Sequence, residues 1–171
     1  CSLHGQASGW ITSRPETSPV FQTGFRYIPE LTLERKFNGD LGADANLSLN
    51  GYVAESFAKD QHPEHEENMK PYRAWLRLAS NTFELRVGLQ RMSFGSATLF
   101  RPLMWFDKID PRDPLQLTDG VYALLARYYF LDNANIWFWT LYGNNEAKGW
   151  ELVPTERKTV ELGGRVQTLL W

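Results

Sequence analysis

The residues best suited to act on another molecule are arginines. Arg26, Arg73, Arg77, Arg86, Arg127 and Arg165 each fall on the polar side of a two-residue alternation, together with Glu30, Glu34, Glu84 and Glu161. A guanidinium stays charged at neutral pH and presents a planar, rigid fork of donors. Such a set holds ion pairs and imposes a field on a solute; it moves no protons. Residues for covalent chemistry are missing, since no GxSxG, HExxH or glycine-rich phosphate loop occurs. The pair His62-x-x-His65 sits among acids and offers zinc-type ligands. Pro63 prevents a helix from holding both on one face, so the stretch 59–68 reads as a solvated loop. Asp107, Asp110 and Asp113 recur every third residue, but the glycine and terminal glutamate of a calcium loop are absent. Asp110-Pro111 and Asp113-Pro114 read as turn starts. With His4 alone in a weak strand, no general base stands out. The sequence implies no enzyme, no metal site and no cofactor.

The elements that carry these arginines are strands. From Leu41 to Val53 the odd positions are apolar or glycine and the even ones almost wholly polar, from Gly42 and Asp44 to Asn50 and Tyr52. Phe21 to Leu33 keeps the same parity, and Asn38-Gly39 between the two runs is a hairpin signal. Pro29 donates no ladder hydrogen bond, so a bulge or strand rim is expected at Ile28-Pro29. Weaker alternation covers Leu3–Thr12, with Trp10 on the polar side. Further runs cover 72–78, 83–90, 122–130 and 160–167, where Leu89 falls on the apolar side. In Ile136–Tyr142 both faces are apolar and the sides stay unassigned. About eight strands result. The links alternate between short (38–39, 80–82, 131–134) and long (54–71, 91–120, 143–158).

At 171 residues, a single domain over 1–171 is expected. A net charge of -2 gives no reason to expect nucleic acid as a partner. The one cysteine, Cys1, excludes a disulfide framework. The opening Cys1-Ser2-Leu3-His4 shows no basic region followed by an apolar one, so either a removed signal or a fragment is expected. A processing remnant is the expected origin of that cysteine, a lipidated terminus the alternative. No apolar run reaches the ~20 residues of a membrane-spanning helix, which leaves membrane-spanning strands open.

Alternation fits both a soluble sandwich and a membrane barrel, because either has one apolar and one polar face. Three features favour the barrel. The run 41–53 exceeds the ~5–6 residues usual for soluble strands. Phe21, Phe25, Tyr27, Tyr72, Phe83, Tyr122, Tyr128 and Phe130 gather near strand ends, with Leu and Ala between, as in interfacial aromatic girdles. The polar side is rich in Arg, which suits a constricted aqueous wall.

The stretch Leu85-Arg86-Val87-Gly88-Leu89-Gln90-Arg91-Met92-Ser93-Phe94-Gly95 resembles a strand of Gram-negative outer-membrane porins such as the phosphate-selective and alginate-export families. The words Arg101 to Pro114 and Leu115 to Val121 are similar to porins of that general kind. The resemblance implies an antiparallel transmembrane β-barrel in the outer membrane. Its partners would be outer-membrane lipid and a small-molecule solute, and the complete barrel would form a homo-oligomer such as a trimer. Such porins close with about sixteen to eighteen strands, so this chain looks like an N-terminal portion. The motif's second arginine is Leu89 here, so an anion-selective role does not carry over to that position.

On this reading Arg26, Glu30, Arg73, Arg77, Glu84, Arg86, Arg127, Glu161 and Arg165 line a pore. The loop 91–120, with Arg101, Asp107, Asp110, Arg112 and Asp119, resembles one that folds inward and narrows it; an external cap is the alternative. The expected function is passive diffusion of small polar or anionic solutes. Two other functions compete. One is a closed eight-stranded barrel acting as an anchor or adhesion protein. The other is a soluble carbohydrate-binding sandwich with exposed Trp75, Trp137 and Trp139.

Overall fold

The structure is a computed structural model and describes residues 1–14, 20–37, 39–58, 62–92, 106, 108–109, 117–144, 156 and 158–168. Among them no helix occurs. The strands are β1 (Ser2–Arg14), β2 (Val20–Lys36), β3 (Gly42–Ala58), β4 (Glu64–Ala79), β5 (Phe83–Gln90), β6 (Lys108–Ile109), β7 (Thr118–Asp119), β8 (Val121–Tyr129), β9 (Asn135–Leu141) and β10 (Glu161–Gln167). Eight of them form one antiparallel meander in the order β1-β2-β3-β4-β5-β8-β9-β10, while β6 and β7 pair as a separate two-residue ladder. The sheet does not close, because β1 and β10 remain its two edges.

Local chemistry explains the tight turns. Asn133 takes φ 62°, a left-handed conformation asparagine tolerates. The Asp132 carboxylate accepts from the Ala134 amide at 3.2 Å, and the Phe130 amide donates to the Ala134 carbonyl at 2.9 Å. Gly39 supplies a positive φ between β2 and β3, and the Phe37 amide closes that turn onto the Leu41 carbonyl at 2.9 Å.

Burial is inverted relative to a soluble sheet. Leu47 is 53% exposed, while Asn46, Ser48 and Asn50 beside it are 6%, 4% and 3% exposed. The same holds elsewhere: Leu3, Phe25, Leu76, Val87, Tyr122, Phe138 and Leu162 are exposed, whereas Arg26, Glu84 and Gln90 are buried. The closed-off face is the polar one.

Four sequence expectations change. The loop expected over 54–71 is largely strand, because β3 runs to Ala58 and β4 starts at Glu64. The apolar alternation stops at Val53, but backbone pairing needs no apolar side chain and continues through Glu55↔His65 to Ser56↔Glu64. The bulge lies one strand over from its expected place. β2 keeps its register through Pro29, although pairing with β3 lapses between Tyr27↔Gly51 and Glu30↔Ser48. The register shift is instead in the β3–β4 ladder, where Ser48 faces Arg73 and Leu49 faces Pro71, leaving Tyr72 as the extra residue. Leu89 is buried, not exposed: it stays paired with the exposed Tyr122, but its Cδ1 lies against Gly120 at the end of the long loop. The loop expected over 91–120 holds the β6–β7 ladder and a buried Phe106.

In β9 the structure supplies the sides that alternation left open. Ile136 and Phe138 are exposed, and Trp139 and Leu141 are buried. These last two join Val121, Ala123 and Leu125 of β8 with Met92 and Phe106 in the buried apolar cluster. Phe106 meets Trp139 edge-on with ring centroids 5.8 Å apart. Phe106 of the long loop is thereby packed on the same face as the arginines.

Candidate functional site

Cross-strand register places the charged residues on one face, since directly paired residues point the same way. Arg26 pairs with Tyr52, and Glu30 with Ser48 and, through it, Arg73. Asp44, Arg77, Arg86 and Leu125 form one row across β3, β4, β5 and β8. Glu84, Arg127, Trp137 and Arg165 form the next row across β5, β8, β9 and β10. Glu161 pairs with the buried Leu141 on this face.

The guanidiniums are held in two ways. Ion pairs fix some: Arg77 Nε donates to Asp44 at 2.8 Å, and Glu84 receives Arg86 at 2.9 Å and Arg127 at 3.4 Å. Aromatic rings support others. Arg127 lies 3.9 Å and Arg165 5.2 Å from the Trp137 ring centroid, Arg86 lies 4.8 Å from Trp75, and Arg26 approaches both Trp10 and Tyr52. Trp75 and Trp137 are thus covered by guanidiniums and Trp139 is buried, so the three form no exposed aromatic platform.

Both signs occur along the face. Glu30, Glu34 and Asp44 share β2 and β3 with Arg26, whereas Arg73, Arg77, Arg86, Arg127 and Arg165 on β4, β5, β8 and β10 outnumber Glu84 and Glu161 there. Polar groups between them are incompletely satisfied by protein. Asn46 donates to Glu30 at 2.6 Å and to Thr32 at 3.3 Å, yet its Oδ1, with Ser48 Oγ and Asn50 Oδ1, is buried without a hydrogen-bond partner among the described residues. Buried groups of this kind are ordinarily satisfied by water. The arrangement suits a wet, charged wall.

Comparison with protein-family models, with curated proteins and with solved structures returns no match to this chain. The chemistry of the face therefore carries the functional reading alone.

Of the loop residues expected to narrow a pore, Arg101, Asp107, Asp110 and Arg112 lie outside the described residues. Asp119 is described, and its carboxylate pairs with Lys70 at 2.8 Å. The structure adds roles that alternation does not supply. Alternation leaves Lys70 in a loop, Asp44 only polar, and Trp137 without a face. A proline next to an alternating run was the available signal for Lys70, since Pro71 marks where the strand phase shifts. For Trp137 no sequence signal existed. Among the described residues no cluster of three or more acids, histidines or cysteines is arranged to hold a metal.

Proposed function

We propose that this chain forms wall and loop of an outer-membrane porin of Gram-negative type, through which small polar or anionic solutes diffuse passively. The observation that carries the reading is the inverted burial, with exposed apolar side chains on one face and covered arginines and glutamates on the other. A soluble sheet places these the other way round; lipid outside and water inside require this arrangement. The dimensions support it. The outward side chains are uncharged from Ala43 to Val53 on β3 and from Met69 to Leu78 on β4, close to the ~9–11 residues with which a tilted strand crosses a bilayer. Beyond that band charged outward residues appear, with His65 placed 3.8 Å from Glu55 and 3.7 Å from Glu67, alongside the aromatic Phe57. At the other end Arg35 points outward, its guanidinium 5.5 Å from the Phe37 ring centroid.

The lumen would carry both signs, with arginines in excess on the later strands. Those charges set a field across it, and the inward-packed Phe106 and Thr118 narrow it. The test is reconstitution of the full-length protein in planar lipid bilayers after detergent extraction from membranes. Discrete conductance steps are expected. A protein released without detergent that gives no steps would overturn the proposal.

A further inference from the structure

We infer that Lys70 and Arg73 are positioning residues that seat the return leg of the long loop, Leu117–Gly120, on the charged face. Residues three apart in a regular strand point to opposite faces. The extra residue Tyr72 cancels that rule. Lys70 pairs with Asn50 and Arg73 with Ser48, so both share the face of those two buried polar residues. The bulge thus places two cations side by side on one strand, and both reach the same short segment. Lys70 Nζ donates to Asp119 Oδ2 at 2.8 Å, and Arg73 Nη2 donates to the Thr118 carbonyl at 2.9 Å. The Arg73 guanidinium is itself fixed, by a hydrogen bond from Nη1 to the Tyr72 carbonyl and by the Tyr72 ring 3.9 Å away.

The contacts reinforce one another. The Lys70–Asp119 pair is partly exposed, and a lone pair of that kind holds little. The Arg73 bond is charge-assisted and engages a backbone carbonyl, so it holds the segment whatever its side chains. Thr118, between the two, is only 5% exposed. Phe106 packs on Trp139 of β9, so described parts of the loop meet the wall at both β4 and β9. The consequence for passage rests on the porin reading: with the latch intact Leu117–Gly120 lies in the lumen and narrows it, and without it the lumen widens.

The first measurement needs no pore. In full-length protein with Cys1→Ser and Thr118→Cys, maleimide labelling of the new thiol should be slow. Adding Lys70→Met and Arg73→Met should speed it about tenfold, as a local opening does. The exchange Lys70→Asp with Asp119→Lys should return it toward the slow rate, which separates a latch from general damage to the fold. An unchanged rate in the Met variant, or a fast rate in the unaltered latch, overturns the inference. Conductance is read separately. The Met variant should pass about twice the current of the parent in planar bilayers. Faster labelling with unchanged current overturns the latch's part in passage. Slow parental labelling in a protein that never conducts overturns the porin reading and leaves the latch standing.

Discussion

Glu84 accepts from two guanidiniums, Arg86 and Arg127, and each of these also lies against a tryptophan. One carboxylate therefore neutralises half of a crowded pair of cations. Glu84→Gln keeps the shape and removes the charge, leaving two largely covered guanidiniums facing each other. The expected cost is about 2 kcal/mol, read as a lower midpoint in urea unfolding from lipid vesicles. Equal midpoints would mean that water carries those cations and the ion pairs are incidental. The arginines themselves were legible in the sequence, because alternation alone assigns Arg77, Glu84, Arg86 and Arg127 to the polar side. Their partners were not. Asp44 and Arg77 lie 33 positions apart and meet only through the β3–β4 register. Asn46 shows the same limit. Alternation marks it as polar, but does not say that its amide nitrogen bonds Glu30 and Thr32 across the β2–β3 ladder.

Strands differ in how much of themselves they disclosed. In β2, β3, β8 and β10 the two-residue phase was plain, and the exposed residues fall on the expected side. The phase of β9 was hidden because Trp137 and Trp139 are as apolar as Ile136 and Phe138. Burial of the tryptophans depends on a loop residue, Phe106, and on guanidiniums from β8 and β10 that no local pattern contains. In β4 the phase changed at Tyr72, so one half of the strand read as loop. Two substitutions test the strands directly. Leu47→Arg puts a charge at the middle of the outward band and should cost ~2–4 kcal/mol of folding in lipid. Folding as efficient as the parent would mean that Leu47 does not face lipid. Gly88→Ala tests the backbone. At φ 121° an added Cβ would run into the Ala74 carbonyl. The expected loss is about 3 kcal/mol in the same assay. Gly9→Ala meets only ordinary contact with the Gly24 carbonyl, and should stay within about 0.5 kcal/mol. Similar effects at both glycines would show that β5 tolerates a regular conformation there.

For the molecule as a whole, the decisive feature is that the sheet has two edges. β1 offers a ladder edge of 13 residues and β10 one of 7, and the two are not paired with each other. In water an open edge is tolerable; in hydrocarbon each unsatisfied backbone group costs several kcal/mol, so a membrane sheet must close. Eight strands are enough for closure in principle, with a lumen only just wide enough for side chains. The charged face has unusually large ones to accommodate: Arg26, Arg73, Arg77, Arg86 and Arg127, the rings of Trp10 and Trp75, and the loop leg carrying Thr118 and Asp119. A lumen filled in that way conducts nothing, whereas additional strands between β10 and β1 would make room for both loop and water. The 171-residue chain by itself should therefore insert poorly into vesicles and give no conductance steps in planar bilayers. Its β1 and β10 edge amides should exchange hydrogen rapidly, and in the full-length protein in lipid those same amides should be protected. Protected edges in the isolated chain, with discrete conductance steps, would show that β1 and β10 pair directly and that eight strands make the complete wall.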